Sequence, residues 1–276
     1  MIRLEIITPI ELNLSSEWKQ QEVLFGTLHS RFERVQNYLF LIGTEKRMLT
    51  IMCEGNALLP DSMILRQEDY AGIKKQGEHV RIALSEITSC SLLGLSVEKF
   101  DEEAFAHKKK QLHNFMERSE KKSDFERLPE RYSKYIYRFA ETLESNDSER
   151  MVASFLALAG AGRGLTPAAD DAVIGVLAGY LLQLSLKKKS HTYLKNMEPL
   201  LSLLCGERLT TEISCKYLKC ACRGDFSQNL CKLIRILSGE AEEDMGQILS
   251  QIREIGHSSG MDMLYGLACS IFAWNS

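Results

Sequence analysis

The sequence predicts an α+β protein, with a small antiparallel β barrel or sandwich at the N-terminus followed by a mostly α-helical C-terminal domain. Three observations carry that prediction. Short apolar and β-branched runs separated by turn residues fill the first 95 positions, half of the following stretch is charged, and the remainder repeats its apolar residues with a helical period.

Residues 21–29 and 38–42 are compact runs of apolar, aromatic and β-branched residues, and residues 47–53 and 79–84 partly alternate. The segments Gly43-Thr-Glu-Lys, Glu54-Gly-Asn and Gln76-Gly-Glu supply glycine among polar residues where the chain must turn. Several short strands with turns between them predict a β-rich domain over residues 1–95. Across residues 100–131, 16 of 32 side chains are Asp, Glu, Lys or Arg, so 96–131 reads as a charged, solvent-facing helical connector. Residues 132–276 read as a helical domain. Tyr132, Tyr135, Ile136, Phe139 and Leu143 fall at i, i+3, i+4, i+7 and i+11, and Met245, Ile248, Leu249, Ile252 and Ile255 form a similar stripe. The apolar run 172–186 is shorter than the roughly 20 residues that span a bilayer and reads as a buried core helix. Gly175 and Gly179, four apart on that helix, invite another backbone to pack close.

Composition sets limits on function. With 276 residues, 45% hydrophobic and 26% charged, the chain has the makings of one or two ordinary globular domains. Its 34 basic and 37 acidic residues leave a formal charge of -3, so no basic excess points to nucleic acid or an anionic membrane. The lysine runs at 108–110 and 187–189 read as solvated helix faces. The first residues alternate charge with apolar side chains, unlike a secretory signal, and the expected location is the cytoplasm. Eight cysteines then read as reduced thiols. The cluster Cys215, Cys220, Cys222 and Cys231 lacks the paired C-x2-C spacing of structural zinc, and its members read as core fillers.

The segment richest in chemistry is Gly162-Arg-Gly-Leu-Thr-Pro-Ala-Ala-Asp-Asp171, a loop opening into the apolar helix. Thr166 is placed to cap that helix, with Pro167 as its first residue. Gly162 and Gly164 let the backbone approach a ligand, and the free N–H groups of a helix start favour an anion. Arg163 adds a clamp for phosphate or carboxylate. The pattern is neither a Walker loop nor a dinucleotide fingerprint. Asp170 and Asp171 either complement the helix dipole or act on substrate, as a proton carrier or as a ligand to magnesium.

A second glycine-flanked helix entrance is Gly256-His-Ser-Ser-Gly-Met-Asp262. It spells G-x-S-x-G, but what precedes it is helical where a nucleophile elbow needs a strand. Ser258 or Ser259 is read as a helix cap or as a polar wall of a ligand site, with His257 as a proton carrier. Between the two entrances, Thr210, Ser214 and Tyr217 lie at i, i+4 and i+7, a polar stripe that is either back-bonded to its helix or turned to a shared pocket.

Taken together, the loop at 162–171, the Thr210-Thr-Glu-Ile-Ser214 segment leading to Gly224-Asp-Phe-Ser227, and Gly256–Asp262 resemble the AllH-type subunit family of oxamate carbamoyltransferase, a bacterial family. The ordered motifs span roughly residues 150–275. The family loop usually reads G-x-G-L-T-P-S-G-D-D, and this chain has Ala168 and Ala169 in place of the Ser and Gly. The resemblance implies a part, with two other subunit types, in cleaving oxalurate with phosphate to oxamate and carbamoyl phosphate during allantoin breakdown. Such a transfer requires an anion cradle and donors for a developing oxyanion, with no covalent protein nucleophile. Gly162, Arg163 and Gly164 are the candidates for the cradle. Thr166, Thr210, Ser214, Ser258 and Ser259 are the candidate hydrogen-bonding groups, and Asp170, Asp171 and His257 the candidate proton carriers. No metal ligand set is assigned, and magnesium enters only through one of the aspartates. The competing reading is a non-catalytic anion-binding or assembly subunit. The expected partners are companion subunits, a small anionic substrate and, in one version, further copies of the chain.

Overall fold

The computed structural model describes residues 6–7, 9, 11–14, 18, 23–76, 78–83, 95, 97–145 and 147–273. Parts of the leader, strand and thiol readings, at residues 1–5, 21–22, Leu84 and Cys90, lie outside the described residues. The chain divides into two compact units, Met1–Leu93 and Gly94–Ser276.

Seven strands make up one curled sheet in the first unit: β1 (Ile6–Ile7), β2 (Glu11–Asn13), β3 (Val23–Arg31), β4 (Val35–Ile42), β5 (Glu45–Cys53), β6 (Ser62–Leu65) and β7 (His79–Ala83). Their order is β1-β7-β3-β4-β5-β6-β2. The meander β3-β4-β5 is antiparallel, with Gly26 opposite Phe40 and Tyr38 opposite Leu49. The sheet as a whole is mixed where an antiparallel one was expected, because β1 pairs with β7 and β5 with β6 in parallel. The segment between β5 and β6 carries the chain back beside its own strand, setting Ser62 against Thr50. Alternate residues build the core face: Tyr38 and Phe40, Leu49 and Ile51, Met63 and Leu65, Val80 and Ile82. A helix that the strand-rich reading did not contain, α1 (Gln67–Gln76), adds Tyr70 and Ile73 to the same core.

The second unit holds nine further helices among the described residues: α2 (Glu102–Arg118), α3 (Arg131–Glu144), α4 (Ser148–Leu156), α5 (Ala168–Leu186), α6 (Tyr193–Gly206), α7 (Glu212–Cys222), α8 (Gln228–Ser238), α9 (Met245–Arg253) and α10 (Ser259–Ala273). The α+β class with a helical C-terminal part is as the periodicity predicts. Every residue from Ala168 to Leu184 is buried, as expected of a helix that is apolar all round. It is long and apolar enough to cross a membrane, yet 89% of its most apolar window is buried inside the protein. In α3 the stripe buries Ile136, Phe139 and Leu143. The charged segment after residue 100 joins this unit through an apolar stripe of its own, with Leu112 fully buried and Phe105, Phe115 and Met116 packed on the core. Cys220, Cys222 and Cys231 are buried and Cys215 is half-buried.

Two helices decide where the site lies. Gly266 of α10 faces Ala172, Gly175 of α5 faces Met263 and Leu267, and Gly179 faces Ser270, so residue numbers rise together along the pair and the helices run parallel. A Cβ on Gly266 would stand 1.8 Å from the Ala172 carbonyl oxygen, and one on Gly175 would stand 1.9 Å from that of Met263. The two backbones therefore touch, and the N-terminal ends of α5 and α10 come together.

Candidate functional site

The loop after α4 is tied to the helix it opens. The Ala169 amide donates to the Ala161 carbonyl at 3.0 Å, and Gly162 passes Ala168 so closely that a Cβ would stand 2.6 Å from the Ala168 nitrogen. At Gly162 φ is 118°, a conformation that side-chain-bearing residues rarely adopt. The helix begins one residue later than the sequence suggests. Pro167, extended at φ −53° and ψ 140°, occupies the cap position, since its ψ lies outside helical geometry although its φ would fit a first helical residue. Thr166 is thereby excluded as the cap, and the Ala161 carbonyl takes one of the amides that a helix start would otherwise offer to an anion.

Freed from capping, the Thr166 hydroxyl lies 2.9 Å from the Ser259 hydroxyl, joining the first and last of the three motifs across 93 residues of sequence. Thr211, not Thr210, caps α7: its Oγ1 accepts the Ser214 amide at 3.1 Å and donates to the Leu165 carbonyl at 2.5 Å. Thr210 therefore precedes the helix and shares no helical stripe with Ser214 and Tyr217. Its hydroxyl donates to Asp170 Oδ2, while Asp170 Oδ1 accepts the Gly160 amide at 2.8 Å. Asp170 thus fastens the glycine loop to the segment before α7. Residues from all three motifs meet within hydrogen-bonding distance.

Three carboxyls are buried at this end of the helix pair. Asp170 is 0% exposed, Asp171 4% and Asp262 0%. Burial pushes all three above the ordinary carboxylate range and outweighs the favourable helix ends. At Asp170 the hydrogen bonds from Thr210 and Gly160, with Ser214 nearby, work the other way. At Asp171 burial is opposed by the Ser259 and Thr166 hydroxyls and reinforced by the charge of Asp262. Asp262 Oδ1 accepts the Ser123 hydroxyl at 2.5 Å and the Phe125 amide at 2.9 Å. Among the described residues, neither Asp171 Oδ2 nor Asp262 Oδ2 has a hydrogen-bond partner. A buried carboxylate oxygen without a donor favours the neutral acid, so the missing donors act in the same direction as burial.

The remaining candidates divide by exposure. Gly162, Arg163, Gly164 and His257 are exposed, Thr166, Thr210, Ser258 and Ser259 are half-buried, and Ser214 is buried. Ser258 immediately precedes α10 and accepts the Asp262 amide at its carbonyl, 2.9 Å away. Asp262 and its clamp, Ser123 and Phe125, are what the sequence reading missed. The acid sits at the end of a motif already singled out, but its partners lie 139 and 137 residues away and leave no local signal. Among the described residues, no group of three or more His, Cys, Asp or Glu side chains comes together to hold a metal ion. The three motifs together offer an exposed guanidinium and glycine backbone, half-buried hydroxyls, and buried acids whose pKa values burial raises.

A family model described as oxamate carbamoyltransferase subunit AllH matches residues 158–271, and a second, described as the AllH family N-terminal domain, matches residues 7–102. No solved structure matches the chain.

Proposed function

This chain belongs to the AllH family of oxamate carbamoyltransferase subunits, and from that premise we propose that its helical unit binds the anionic reactants of carbamoyl transfer where α5 and α10 begin. The observation that carries the proposal is the hydrogen bond between Thr166 and Ser259, which brings two parallel helix starts, each positively polarised, together next to the glycine loop that opens α5. Arg163 and the Gly162 and Gly164 backbone hold phosphate or the carboxylate of oxalurate. Ser258 donates to the oxygen that gains charge on the carbamoyl carbonyl, while in the Thr166–Ser259 pair one hydroxyl donates to the other.

In the reaction a phosphate oxygen bonds to the carbamoyl carbon of oxalurate, the bond from that carbon to the oxamate nitrogen breaks, and that nitrogen takes up a proton. Asp171, a buried acid behind the Thr166 and Ser259 hydroxyls, supplies the proton through them. Asp170 keeps its structural post, since both oxygens are engaged. The family description names a subunit, so companion subunits complete the enzyme. The expected setting is nitrogen recovery from allantoin.

A second reading, a subunit that binds the anion without catalysing, draws support from the burial of all three acids. Thermal unfolding with phosphate, carbamoyl phosphate, oxalurate and oxamate tests the site. Ligand at about 100 times its Kd stabilises by about 2.7 kcal/mol, a shift of roughly 5–10 °C for a unit of this size. The shift should vanish in Arg163→Ala, and a shift that survives that change removes Arg163 from the site. Turnover by Asp171→Asn in the reconstituted assembly separates the two readings: loss supports catalysis, and unchanged turnover with intact ligand binding supports the non-catalytic subunit.

A further inference from the structure

Away from the helix starts, an open trough of about 990 Å³ runs between α2, α3 and α10. Its apolar lining is aromatic and methionine-rich, with Met116, Tyr137, Tyr265 and Phe272. Tyr137 is 43% exposed, one of the more exposed large apolar side chains of the unit. Lys109, Lys110 and Lys122 also line the trough. The Lys109 ammonium lies 4.8 Å from the centre of the Phe272 ring, and its partial burial lowers its pKa. Lys122 is committed to the Met116 and Glu117 carbonyls at the end of α2. Glu117, a further lining residue, is paired with His113 at 3.3 Å. Lys109 and Lys110 make no ion pair among the described residues.

We propose that this trough seats a segment of a companion subunit, with carboxylates meeting Lys109 and Lys110 and an apolar side chain on the floor formed by Tyr137, Tyr265 and Phe272. The shape argues against a small ligand, because small-molecule sites enclose most of their occupant and this trough is open. Its composition is that of a protein interface, aromatic and methionine side chains together with charged ones. The lining sets Lys109, Lys110 and Lys122 against Glu117 and Glu126 in a chain whose formal charge is -3, and the complement of the two lysines without an ion pair among the described residues is an acidic one. The proposal rests on the reading of the chain as a subunit.

The test uses the full chain co-purified with the companion subunits of the carbamoyltransferase, with affinity read by titration and assembly by light scattering. Lys109→Glu with Lys110→Glu should weaken assembly at least tenfold, and Lys109→Gln with Lys110→Gln should weaken it less, in a salt-dependent manner. Lys74→Glu with Lys75→Glu, an equal change of charge on α1, should leave affinity within twofold. Each variant must melt within about 2 °C of wild type, which separates docking from folding. Unchanged affinity in both the Glu and Gln double variants overturns the docking site alone. Failure of the wild-type chain to assemble overturns the subunit reading and the docking site with it. Self-association of the isolated chain that is lost in the Glu double variant would give the trough to a second copy, overturning the proposal.

Discussion

Gly266→Ala adds one methyl group where α5 and α10 touch. The new carbon would stand 1.8 Å from the Ala172 carbonyl oxygen and 2.6 Å from its carbon, both rigid backbone atoms that no side-chain rotation can move aside. Ordinary contact begins at 3.4 Å, so the helices must part locally by about 1.6 Å, the difference between 3.4 and 1.8 Å. A radial gap of even ~0.5–1 Å forfeits a quarter to a half of each van der Waals contact, and overpacking of this kind costs ~1–3 kcal/mol or more. With backbone on both sides, the upper end applies. Replacing glycine by alanine inside a helix returns about 1 kcal/mol, leaving a net loss of about 2 kcal/mol. For a unit of this size that is a fall in melting temperature of roughly 4–8 °C, read by calorimetry. The same displacement should draw Ser259 away from Thr166 and weaken anion binding. A variant that melts at or above the wild-type temperature would show that helix propensity dominates and would refute the direct backbone contact.

Three further outcomes follow from the acids and the loop. Burial raises the folded-state pKa of Asp171, so its protonated form favours the fold; the associated stability is complete below the ordinary value of 3.8 and is lost as pH rises through the raised value. Asp171→Asn should therefore gain on wild type in urea unfolding as the pH is taken from about 5 to about 8, and a difference independent of pH would contradict the assignment. Thr210→Val deletes the donor to Asp170 Oδ2 and should cost ~1–3 kcal/mol, which Thr210→Ser should largely restore. Gly162→Ala meets both a φ of 118° and the Ala168 nitrogen at 2.6 Å, so it should cost at least ~1 kcal/mol and abolish stabilisation by phosphate; a folded variant that still responds to phosphate would remove the loop from the site.

What the sequence displays of this protein is its local periodicity. The partial alternation around Leu49 and Ile51 marks a buried sheet face, and the spacing of Ile136, Phe139 and Leu143 marks a buried helix face, whereas the run 38–42 is apolar throughout and does not show that Tyr38 and Phe40 are its core side. Such patterns say nothing of direction, so the parallel pairing of β5 with β6 was not visible. Nor does a stripe show what it packs on: Leu112 and its neighbours were hidden by the charge around them. Gly175 announced a close approach, but its counterpart Gly266 sits 91 positions on, and only the pairing of the two explains why Thr166 and Ser259 meet. The letters of each motif were legible, whereas the roles of Thr166 and Thr210 shifted because Pro167 and Thr211 are better placed to start their helices.

The clamp on Asp262 bears on how much of the chain must be kept together. Ser123 and Phe125 supply both hydrogen bonds to its Oδ1, and Phe125 itself is 1% exposed in the core, yet both lie upstream of residue 158, where the match to the family model begins. A fragment trimmed to residues 158–271 would take both donors from the buried Asp262 Oδ1 and leave a cavity the size of a phenyl ring. A helical fragment that keeps this clamp must therefore begin no later than Ser123, in the stretch that lies between the two regions matched by the family.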